Sequence, residues 1–123
     1  AALRGKRALV AEDNEINRYI LRELLERAGM DIVEAVNGRE ALSVLLEAQT
    51  PVDVVLMDIQ MPEMDGFQVV KALRERAYQG HVVALTAHAM KGDRERCLEA
   101  GFDDYLTKPL DEKILRRLLL ERH

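Results

Sequence analysis

The chain has 123 residues, the length of one domain, and a hydrophobic fraction of 48% that is sufficient to build a core. Its formal net charge of −4 argues against non-specific binding to nucleic acid or to anionic membranes, because both require a basic face. The single cysteine, Cys97, excludes an internal disulfide. Length and composition predict one globular domain over residues 1–123, and we expect its core to span about residues 6–121.

The first strand and helix are predicted from a short apolar run followed by an amphipathic pattern. Strand one covers Arg7 to Ala11, and helix one follows Asn14, whose side chain is a good N-cap. Gly29 is expected to end this helix, because glycine readily adopts the left-handed conformation found after helix C-termini. The residues expected to face the core stand at i+4 spacing and are flanked by two leucines: Ile16, Ile20, Leu24 and Ala28, with Leu21 and Leu25.

Two further strands and a helix complete the first half of the chain. Strand two, Asp31 to Val36, alternates apolar and polar residues as an edge strand does. Asn37-Gly38 breaks the chain before helix two, which covers Arg39 to Ala48. Strand three, Val52 to Met57, is nearly all apolar, which is typical of a strand covered by helices on both faces. The inward face of helix two is expected to contain Ala41, Leu42, Leu45 and Leu46.

The second half continues the alternation of helices and strands. Helix three covers about Gly66 to Arg76, strand four Val82 to Thr86, and strand five Asp104 to Thr107. Helix four, Asp93 to Ala100, has so few apolar residues that we expect it to be the most weakly held helix. Helix five covers Asp111 to about Glu121. The residues expected to face inward are Phe67, Val70 and Leu73 in helix three, Cys97, Leu98 and Ala100 in helix four, and Ile114, Leu115, Leu118 and Leu119 in helix five.

Polar side chains are predicted at the carboxyl ends of four strands. Glu12 and Asp13 follow strand one, Asp58 follows strand three, Thr86 ends strand four, and Lys108 follows strand five. Strict alternation implies a parallel sheet with right-handed crossovers, in which ligands bind outside these strand ends. Like charges about 4 Å apart repel by about 4 kcal/mol at an effective dielectric of about 20, so three clustered carboxylates need a cation. Oxygen ligands that leave room for water and a phosphate oxygen indicate Mg²⁺.

These residues form a set suited to phosphoryl transfer. Asp58 would attack the phosphorus in line, while Mg²⁺, Lys108 and the Thr86 hydroxyl stabilise charge on the phosphoryl oxygens. Each residue alone also has a structural explanation, because an aspartate after a strand is commonly a turn former and Glu12-Asp13 can serve as the acidic start of helix one. Their convergence at equivalent strand ends favours the functional interpretation.

With these residues placed, the chain resembles the receiver domains of two-component response regulators from Lys6 to about Leu120. The resemblance rests on VAEDN at 10–14, VVLMDIQMPEMDG at 54–66, ALTA at 84–87 and YLTKP at 105–109. The segments TAHAMKGD at 86–93 and AGFDDY at 100–105 are most similar to receivers attached to hybrid sensor histidine kinases. The resemblance implies an α/β fold, the flavodoxin-like doubly wound (βα)5 three-layer sandwich, with a parallel sheet in the order 2-1-3-4-5.

The resemblance also implies a role for each residue of the acidic site. Asp58 would receive the phosphoryl group from a phosphohistidine, and Lys108 would pair with the resulting phosphate. Glu12, Asp13 and Asp58 would hold Mg²⁺ together with the backbone carbonyl of Gln60. The isolated domain is therefore expected to catalyse its own phosphorylation and dephosphorylation on Asp58.

A conformational switch is a further implication of the resemblance. The Thr86 hydroxyl would move toward the phosphate and the Tyr105 ring would turn inward, so that the surface of helix four, strand five and helix five changes most. The bond between Lys108 and Pro109 is expected to be cis. His88 is better explained as a surface side chain beside the site than as a general base.

The partner implied by the resemblance is a histidine phosphotransfer domain or the dimerisation domain of a histidine kinase. Docking would involve helix one near Ile16 and Asn17, although the sequence also allows Ile16 to be wholly in the core. Direct contact with nucleic acid or with a membrane is not expected. No apolar run reaches the roughly 20 residues needed to cross a bilayer, and Ala1 to Arg7 is too polar for a signal peptide. We expect a cytoplasmic domain of a larger parent, a hybrid histidine kinase, whose membrane anchoring is left open.

Three other functions share some of these features. A haloacid-dehalogenase-type phosphatase also uses an aspartate nucleophile after an apolar strand, but it has a second aspartate where this chain has Gln60. A flavodoxin-like flavin carrier shares the architecture, but the acidic, glycine-free turn from Glu12 to Glu15 would repel a phosphate. A receiver-like interaction module that is never phosphorylated is the main alternative.

Overall fold

A computed structural model of the chain describes residues 3–87, 92–108 and 110–121, the last of them without its side chain. Five strands alternate with five helices along this part of the chain. The second helix, α2, continues directly into a π-helical segment at Ser43–Glu47. The elements are β1 Arg7–Ala11, α1 Glu15–Arg27, β2 Asp31–Ala35, α2 Gly38–Leu42, β3 Val54–Asp58, α3 Gly66–Glu75, β4 Val82–Thr86, α4 Asp93–Ala100, β5 Asp104–Thr107 and α5 Glu112–Glu121.

The strands form one parallel sheet in the order β2-β1-β3-β4-β5. Every residue of β3 and β4 is buried, which explains why both strands read as continuous apolar runs. The flanking strands β2 and β5 contain partly exposed residues, as strands at the edges of a sheet do. The predicted fold, a flavodoxin-like doubly wound sandwich with sheet order 2-1-3-4-5, is confirmed.

Two hydrophobic clusters cover the two faces of the sheet. One contains Val55 and Met57 of β3 together with residues of α2, α3 and α4. The other contains Val54 and Leu56 of the same strand together with residues of α1 and α5. Successive side chains of a strand point to opposite faces, so β3 supplies both clusters and the helices form two outer layers. This three-layer arrangement leaves the carboxyl ends of the strands accessible at one edge.

The orientation of α1 corrects part of the prediction. Leu21 and Leu25 are buried, and Leu24 is partly buried against the same cluster. Ile16 and Ile20, which were predicted to face the core, are 69% and 45% exposed. An i+4 series rotates by about 40° at each step around an α-helix, so the predicted stripe winds away from the core toward the N-terminus. The sequence left open whether Ile16 lies in the core or on the surface, and its exposure places it on the surface.

Three other side chains differ from their predicted orientation. Ile114 of α5 and Leu98 of α4 were predicted to face inward but are 54% and 37% exposed. Val69 of α3 was not predicted to face inward, yet it is fully buried against the cluster shared by α2, α3 and α4. α4 and α5 thus bury narrower faces than predicted, and α3 buries a wider one.

The start of α2 shows how two neighbouring residues place a helix. Asn37 is the N-cap, and its side-chain oxygen accepts a hydrogen bond from the backbone N–H of Glu40 at 2.8 Å. Gly38 is already the first helical residue, one position earlier than predicted. A Cβ at this position would lie 2.6 Å from Val69 and 2.7 Å from the Met64 carbonyl oxygen, so glycine allows α2 to approach α3 closely.

Several further boundaries differ from the prediction. β2 ends at Ala35 rather than Val36. β3 begins at Val54 rather than Val52, and it includes Asp58 as its last residue. The predicted end of helix two at Ala48 corresponds to the end of the π-helical segment, for which Ala48 is the C-cap.

Candidate functional site

Four of the strands bring polar residues to one edge of the sheet, as the sequence predicts. Glu12 and Asp13 follow β1, and Asp58 is the last residue of β3. Thr86 ends β4, and its carbonyl oxygen accepts a hydrogen bond from the backbone N–H of Lys108 at 2.7 Å. Glu12, Asp58 and Thr86 are buried polar residues, with exposed fractions of 0%, 5% and 5%.

The three carboxylates form a tight cluster. Glu12, Asp13 and Asp58 each offer an oxygen atom, and these oxygens all lie within 4.8 Å of one another. Glu12 and Asp58 are buried, whereas Asp13 is exposed and opens the cluster to solvent. Carboxylate oxygens converging at one solvent-accessible point are the ligands that a hard divalent cation prefers. The donor set therefore fits Mg²⁺.

Lys108 partly balances the negative charge of the cluster. Its Nζ lies 2.7 Å from Oε1 of Glu12 and 3.0 Å from Oδ2 of Asp58. Both contacts are ion pairs between largely buried side chains, so solvent screens them less than it screens pairs on the surface. A single ammonium group thus links the ends of β1, β3 and β5.

Burial and neighbouring charges shift the pKa values of Glu12, Asp13 and Lys108. Burial raises the pKa of Glu12, and the neighbouring Asp58 adds to the shift, while Lys108 opposes it. Partial burial and the nearby Glu12 carboxylate also raise the pKa of Asp13. Burial alone lowers the pKa of Lys108, but hydrogen bonds and charge from Glu12 and Asp58 outweigh burial and raise it. The cluster thus favours the charged form of the lysine and disfavours that of two carboxylates.

Both carboxylate oxygens of Asp58 have a partner. Oδ2 accepts from Lys108, and Oδ1 accepts a hydrogen bond from the backbone N–H of Gln60 at 3.0 Å. The backbone just after Asp58 is held by α3, because the N–H of Gly66 donates to the carbonyl oxygen of Ile59 at 2.8 Å. A Cβ at Gly66 would lie 2.8 Å from the Asp58 carbonyl oxygen. The position of Asp58 therefore depends on the close approach of α3 to the end of β3.

The turn that carries Glu12 and Asp13, here called the acidic pair, is held by residues at the start of α1. Asn14 is the N-cap of α1, and its side-chain oxygen accepts from the N–H of Asn17 at 3.0 Å. The side chain of Arg18 donates from Nη1 to the carbonyl oxygens of Glu12 and Asp13. Sequence reasoning missed Arg18, since one basic residue in an amphipathic helix gives no signal that it points back at a strand end.

The remaining predicted site residues are placed around this cluster. Gln60 and Thr86 line the same depression beside α4. Tyr105 pairs with Ala84 across β4 and β5, and its half-buried side chain packs against the cluster of α2, α3 and α4. His88 and Pro109 lie outside the described residues, so the role of His88 and the cis bond before Pro109 stay predictions. The roles assigned to Thr86, Tyr105 and the other site residues also stay predictions at this point.

Across the three described stretches of the chain, none of the helices combines the length and the apolar character that crossing a membrane requires.

The fold and the acidic cluster at the carboxyl ends of the strands define a class of signalling domain. The chain belongs to the response regulator receiver domain family, whose family model matches residues 8–120. Receiver domains of two-component systems carry a phosphoacceptor aspartate, and this chain is a receiver domain of that kind. The resemblance described from the sequence is therefore confirmed.

Among its relatives, the chain is similar to receiver segments of large sensor kinases. It is 43% identical over 121 residues to hybrid signal transduction histidine kinase I of Dictyostelium discoideum, covering 93% of this chain and 7% of that protein. It is 41% identical over 124 residues to the sensor histidine kinase GacS of Pseudomonas protegens, covering 96% of this chain and 13% of that protein. The chain thus spans only a small part of these two relatives.

Solved structures give the same assignment. The receiver domain of the sensor histidine kinase PA1611 from Pseudomonas aeruginosa, which holds a magnesium ion in its active-site cleft, is 34% identical with a TM-score of 0.82. That match covers 95% of this chain and 96% of the other. The receiver domain of Ssk1 in complex with the histidine phosphotransfer protein Ypd1, from Saccharomyces cerevisiae, is 29% identical with a TM-score of 0.87. It covers 97% of this chain and 89% of the other.

Proposed function

We propose that Asp58 is the phosphoacceptor of this receiver domain. The observation that supports this assignment is the position of Asp58, which ends the central strand β3 inside the carboxylate cluster and contacts Lys108. Transfer forms a bond between a carboxylate oxygen of Asp58 and the phosphorus of a phosphohistidine, and the bond from phosphorus to the imidazole nitrogen breaks. The imidazole keeps the electron pair of that bond and remains on the donor protein.

The residues proposed to hold Mg²⁺ are Glu12, Asp13 and Asp58, with the backbone carbonyl of Gln60. The converging oxygens of the three carboxylates support this proposal, as does the solvent access provided by Asp13. When bound, the ion would neutralise negative charge on the oxygens of the phosphoryl group. Glu12 and Asp13 contribute by holding their carboxylates at the end of β1, close to that of Asp58.

Lys108 and Thr86 are proposed to recognise the phosphoryl group. Lys108 already contacts Oδ2 of Asp58, so its ammonium group needs to move little to pair with a phosphate attached there. The hydroxyl of Thr86 would donate a hydrogen bond to another phosphate oxygen. Because both residues lie at the ends of β4 and β5, new contacts with the phosphate would shift the surface formed by α4, β5 and α5, together with Tyr105.

Phosphorylation in the absence of a protein donor tests the assignment of Asp58. The domain is incubated with acetyl phosphate and Mg²⁺, and the mass of the intact protein is measured. Wild type is expected to gain one phosphoryl group, and the Asp58→Asn variant none. Asp31→Asn, which changes an exposed aspartate at the opposite end of the edge strand β2, is the matched control and should label like wild type. Equal labelling of Asp58→Asn and wild type would remove Asp58 from its role.

The partner proposed for this chain is a histidine phosphotransfer domain or a kinase dimerisation domain that docks on α1. Three large apolar side chains are exposed on this helix beside the acidic cluster: Ile16, Tyr19 and Ile20. Exposed apolar side chains grouped on one face are typical of a protein-binding surface. The chain is similar to a receiver whose structure was solved in complex with a histidine phosphotransfer protein, which supports the same kind of partner.

Comparison of a protein donor with a small-molecule donor tests this docking surface. The Ile16→Ala variant is expected to slow transfer from phosphorylated Ypd1 by about tenfold, since interface anchors are worth more than about 1 kcal/mol each. Labelling by phosphoramidate should be unchanged, because a small donor needs no docking surface. Ile114→Ala, which truncates another exposed isoleucine, on α5, is the control. Equal effects of the two substitutions would contradict docking on α1.

For the parent protein we propose a hybrid histidine kinase, with this domain in the cytoplasm. The similarity to receiver segments of two sensor kinases supports the proposal. Sequencing the parent gene on both sides of this segment tests it directly. A kinase dimerisation and ATP-binding region in the same reading frame is the expected result, and a receiver encoded alone would contradict it.

A further inference from the structure

Arg18 points back from the first turns of α1 to the turn that carries the acidic pair. Its Nη1 donates to the carbonyl oxygen of Glu12 at 2.9 Å and to that of Asp13 at 3.1 Å. Its own backbone N–H donates to the carbonyl oxygen of Asn14 at 3.0 Å. The side chain is 16% exposed, so these contacts lie largely out of solvent. One residue therefore binds three consecutive carbonyl groups immediately after β1.

These carbonyl groups lie beyond the part of β1 that the sheet holds. The last described contact between the end of β1 and β2 is the hydrogen bond from the N–H of Glu12 to the carbonyl oxygen of Ala35, at 3.0 Å. After this bond the chain turns out of the sheet toward the N-cap of α1 at Asn14. The orientation of the next two peptide groups decides where the Glu12 and Asp13 side chains point, and Arg18 contacts both of these groups.

A second contact fixes the guanidinium group itself. Nε of Arg18 lies 3.5 Å from Oε1 of Glu34 on β2, and Nη1 of Arg22 lies 3.1 Å from Oε2 of the same carboxylate. Glu34 thus ties the guanidinium group of Arg18 to the edge strand β2. Arg22 shares the carboxylate and the charge of Arg18, but among the described contacts none joins its side chain to the acidic turn.

We propose that Arg18 is a positioning residue for the metal ligands Glu12 and Asp13. It holds their peptide groups so that the two carboxylates converge on Asp58 before any ion binds. This inference rests on the proposed Mg²⁺ site. It is distinct from an electrostatic role, because a positive charge close to the site opposes binding of a second cation. The two roles therefore predict opposite signs when Arg18 is replaced by a neutral residue.

Calorimetric titration of the metal-free domain with MgCl₂, under conditions where thermal unfolding shows each variant to be folded, tests the inference. Arg18→Gln is expected to bind Mg²⁺ about tenfold more weakly than wild type, as is usual when the groups that orient metal ligands are removed. Arg18→Lys keeps the charge and one donor nitrogen, and should recover part of the lost affinity. Arg22→Gln is the matched control and should stay within about twofold of wild type, as expected for an exposed pair.

A second measurement reports the position of the turn without any metal. The amide resonances of Asp13 and Asn14 in the metal-free protein are expected to shift in Arg18→Lys and to stay in place in Arg22→Gln. Because this measurement uses the conservative Arg18→Lys variant, it tests the positioning role even if Arg18→Gln does not fold. Unchanged resonances together with unchanged Mg²⁺ affinity in Arg18→Lys would overturn it.

The outcomes separate this inference from the proposed function. If wild type binds Mg²⁺ and Arg18→Gln binds it equally or more tightly, the positioning role is wrong and the magnesium site stands. If wild type itself gives no Mg²⁺ binding, the proposed site and the role of Arg18 fall together. Weaker binding by Arg18→Gln with normal binding by Arg22→Gln supports the positioning role.

Discussion

The carboxylates of Glu12 and Asp13 are held in the folded domain in positions that disfavour their ionised forms. Burial raises the pKa of both groups, Asp58 adds to the shift of Glu12, and Glu12 adds to that of Asp13. A carboxyl group whose pKa is raised by folding contributes stability below its unfolded pKa, and this contribution is lost as pH rises through the folded pKa. At neutral pH the metal-free site is therefore a source of instability that the rest of the fold offsets.

Neutralising one member of the pair should stabilise the metal-free protein. Asp13→Asn is expected to raise the free energy of unfolding in EDTA at neutral pH by about 0.5 kcal/mol, a small value because the side chain is exposed and screened. The gain should shrink as pH falls toward the ordinary carboxyl range, because Asp13 then becomes protonated in wild type. Urea denaturation at both pH values measures this difference. A gain that grows on acidification would contradict the explanation.

The contact between Gly66 and the end of β3 gives a prediction about packing beside the phosphoacceptor. In Gly66→Ala the new Cβ would lie 2.8 Å from the Asp58 carbonyl oxygen and 2.9 Å from the Ile59 Cα, both backbone atoms that cannot rotate away. We expect a loss of about 1–3 kcal/mol in stability, as is usual for overpacking. We also expect slower labelling of Asp58 by acetyl phosphate.

Gly80→Ala is the matched control for this substitution. There the added Cβ would meet the ring end of the Tyr78 side chain, which can move. Thermal unfolding and acetyl phosphate labelling should therefore change little in Gly80→Ala. Equal losses in the two variants would show that the cause is not the contact between α3 and β3.

The helices differ in how firmly they are attached to the sheet. α3 begins with a capping box, in which Asp65 and Gln68 exchange hydrogen bonds at 2.9 Å, and it buries Val69, Val70 and Leu73. The N-cap of α4 is Gly92, which has a φ of 94° and makes no side-chain cap hydrogen bond, and Cys97 is the buried residue of this helix. A helix with less buried apolar surface and no cap opens at lower free energy.

Amide hydrogen exchange measures this difference between helices. Without Mg²⁺, the amides of α4 are expected to exchange at least about tenfold faster than those of α3, because a free-energy difference of about 1.4 kcal/mol changes the open population tenfold. Peptides from α3 in the same sample provide the internal control. Equal protection of the two helices would show that α4 gains stability from something other than its own buried face.

The elements also show what the sequence could and could not predict. The bounds of β1, β4, α4 and β5 agree with the prediction, because short apolar runs between polar breaks define them. The rotation of helices was harder to predict, since α1 carries apolar residues on more than one side and the residue type alone does not separate exposed apolar residues from those in the core. Ile16 and Ile20 were assigned inward for that reason.

At the scale of the whole molecule, parallel topology is what made the acidic site predictable. All strands point the same way, so residues at the ends of β1, β3, β4 and β5 meet although they are far apart in the chain. Contacts made by long side chains from helices, such as Arg18, depend on packing angles that no local pattern encodes. The sequence therefore predicted the residues of the site better than the residues that orient them.

The arrangement of the layers predicts where the molecule responds to phosphorylation. Addition of Mg²⁺ and beryllofluoride, which mimics the phosphorylated aspartate, is expected to change amide exchange in α4, β5 and α5 more than in α2. The physical reason is that Thr86 and Lys108 adjoin those elements and gain new contacts, whereas α2 packs against α3, β1 and β2.

The Asp58→Asn variant under the same conditions is the control and should show no change. An exchange pattern that is unaltered in α4, β5 and α5 of wild type would contradict the proposed switch surface.

The ion pair between Lys108 and Glu12 joins residues 96 positions apart. A ribosome making this chain therefore releases the acidic residues long before the lysine that balances them. Until Lys108 has been added, the growing chain lacks the ammonium group that pairs with Glu12 and Asp58 in the folded domain. If Asp58 is the phosphoacceptor as proposed, an unfinished chain would therefore offer no complete pocket for a phosphoryl group.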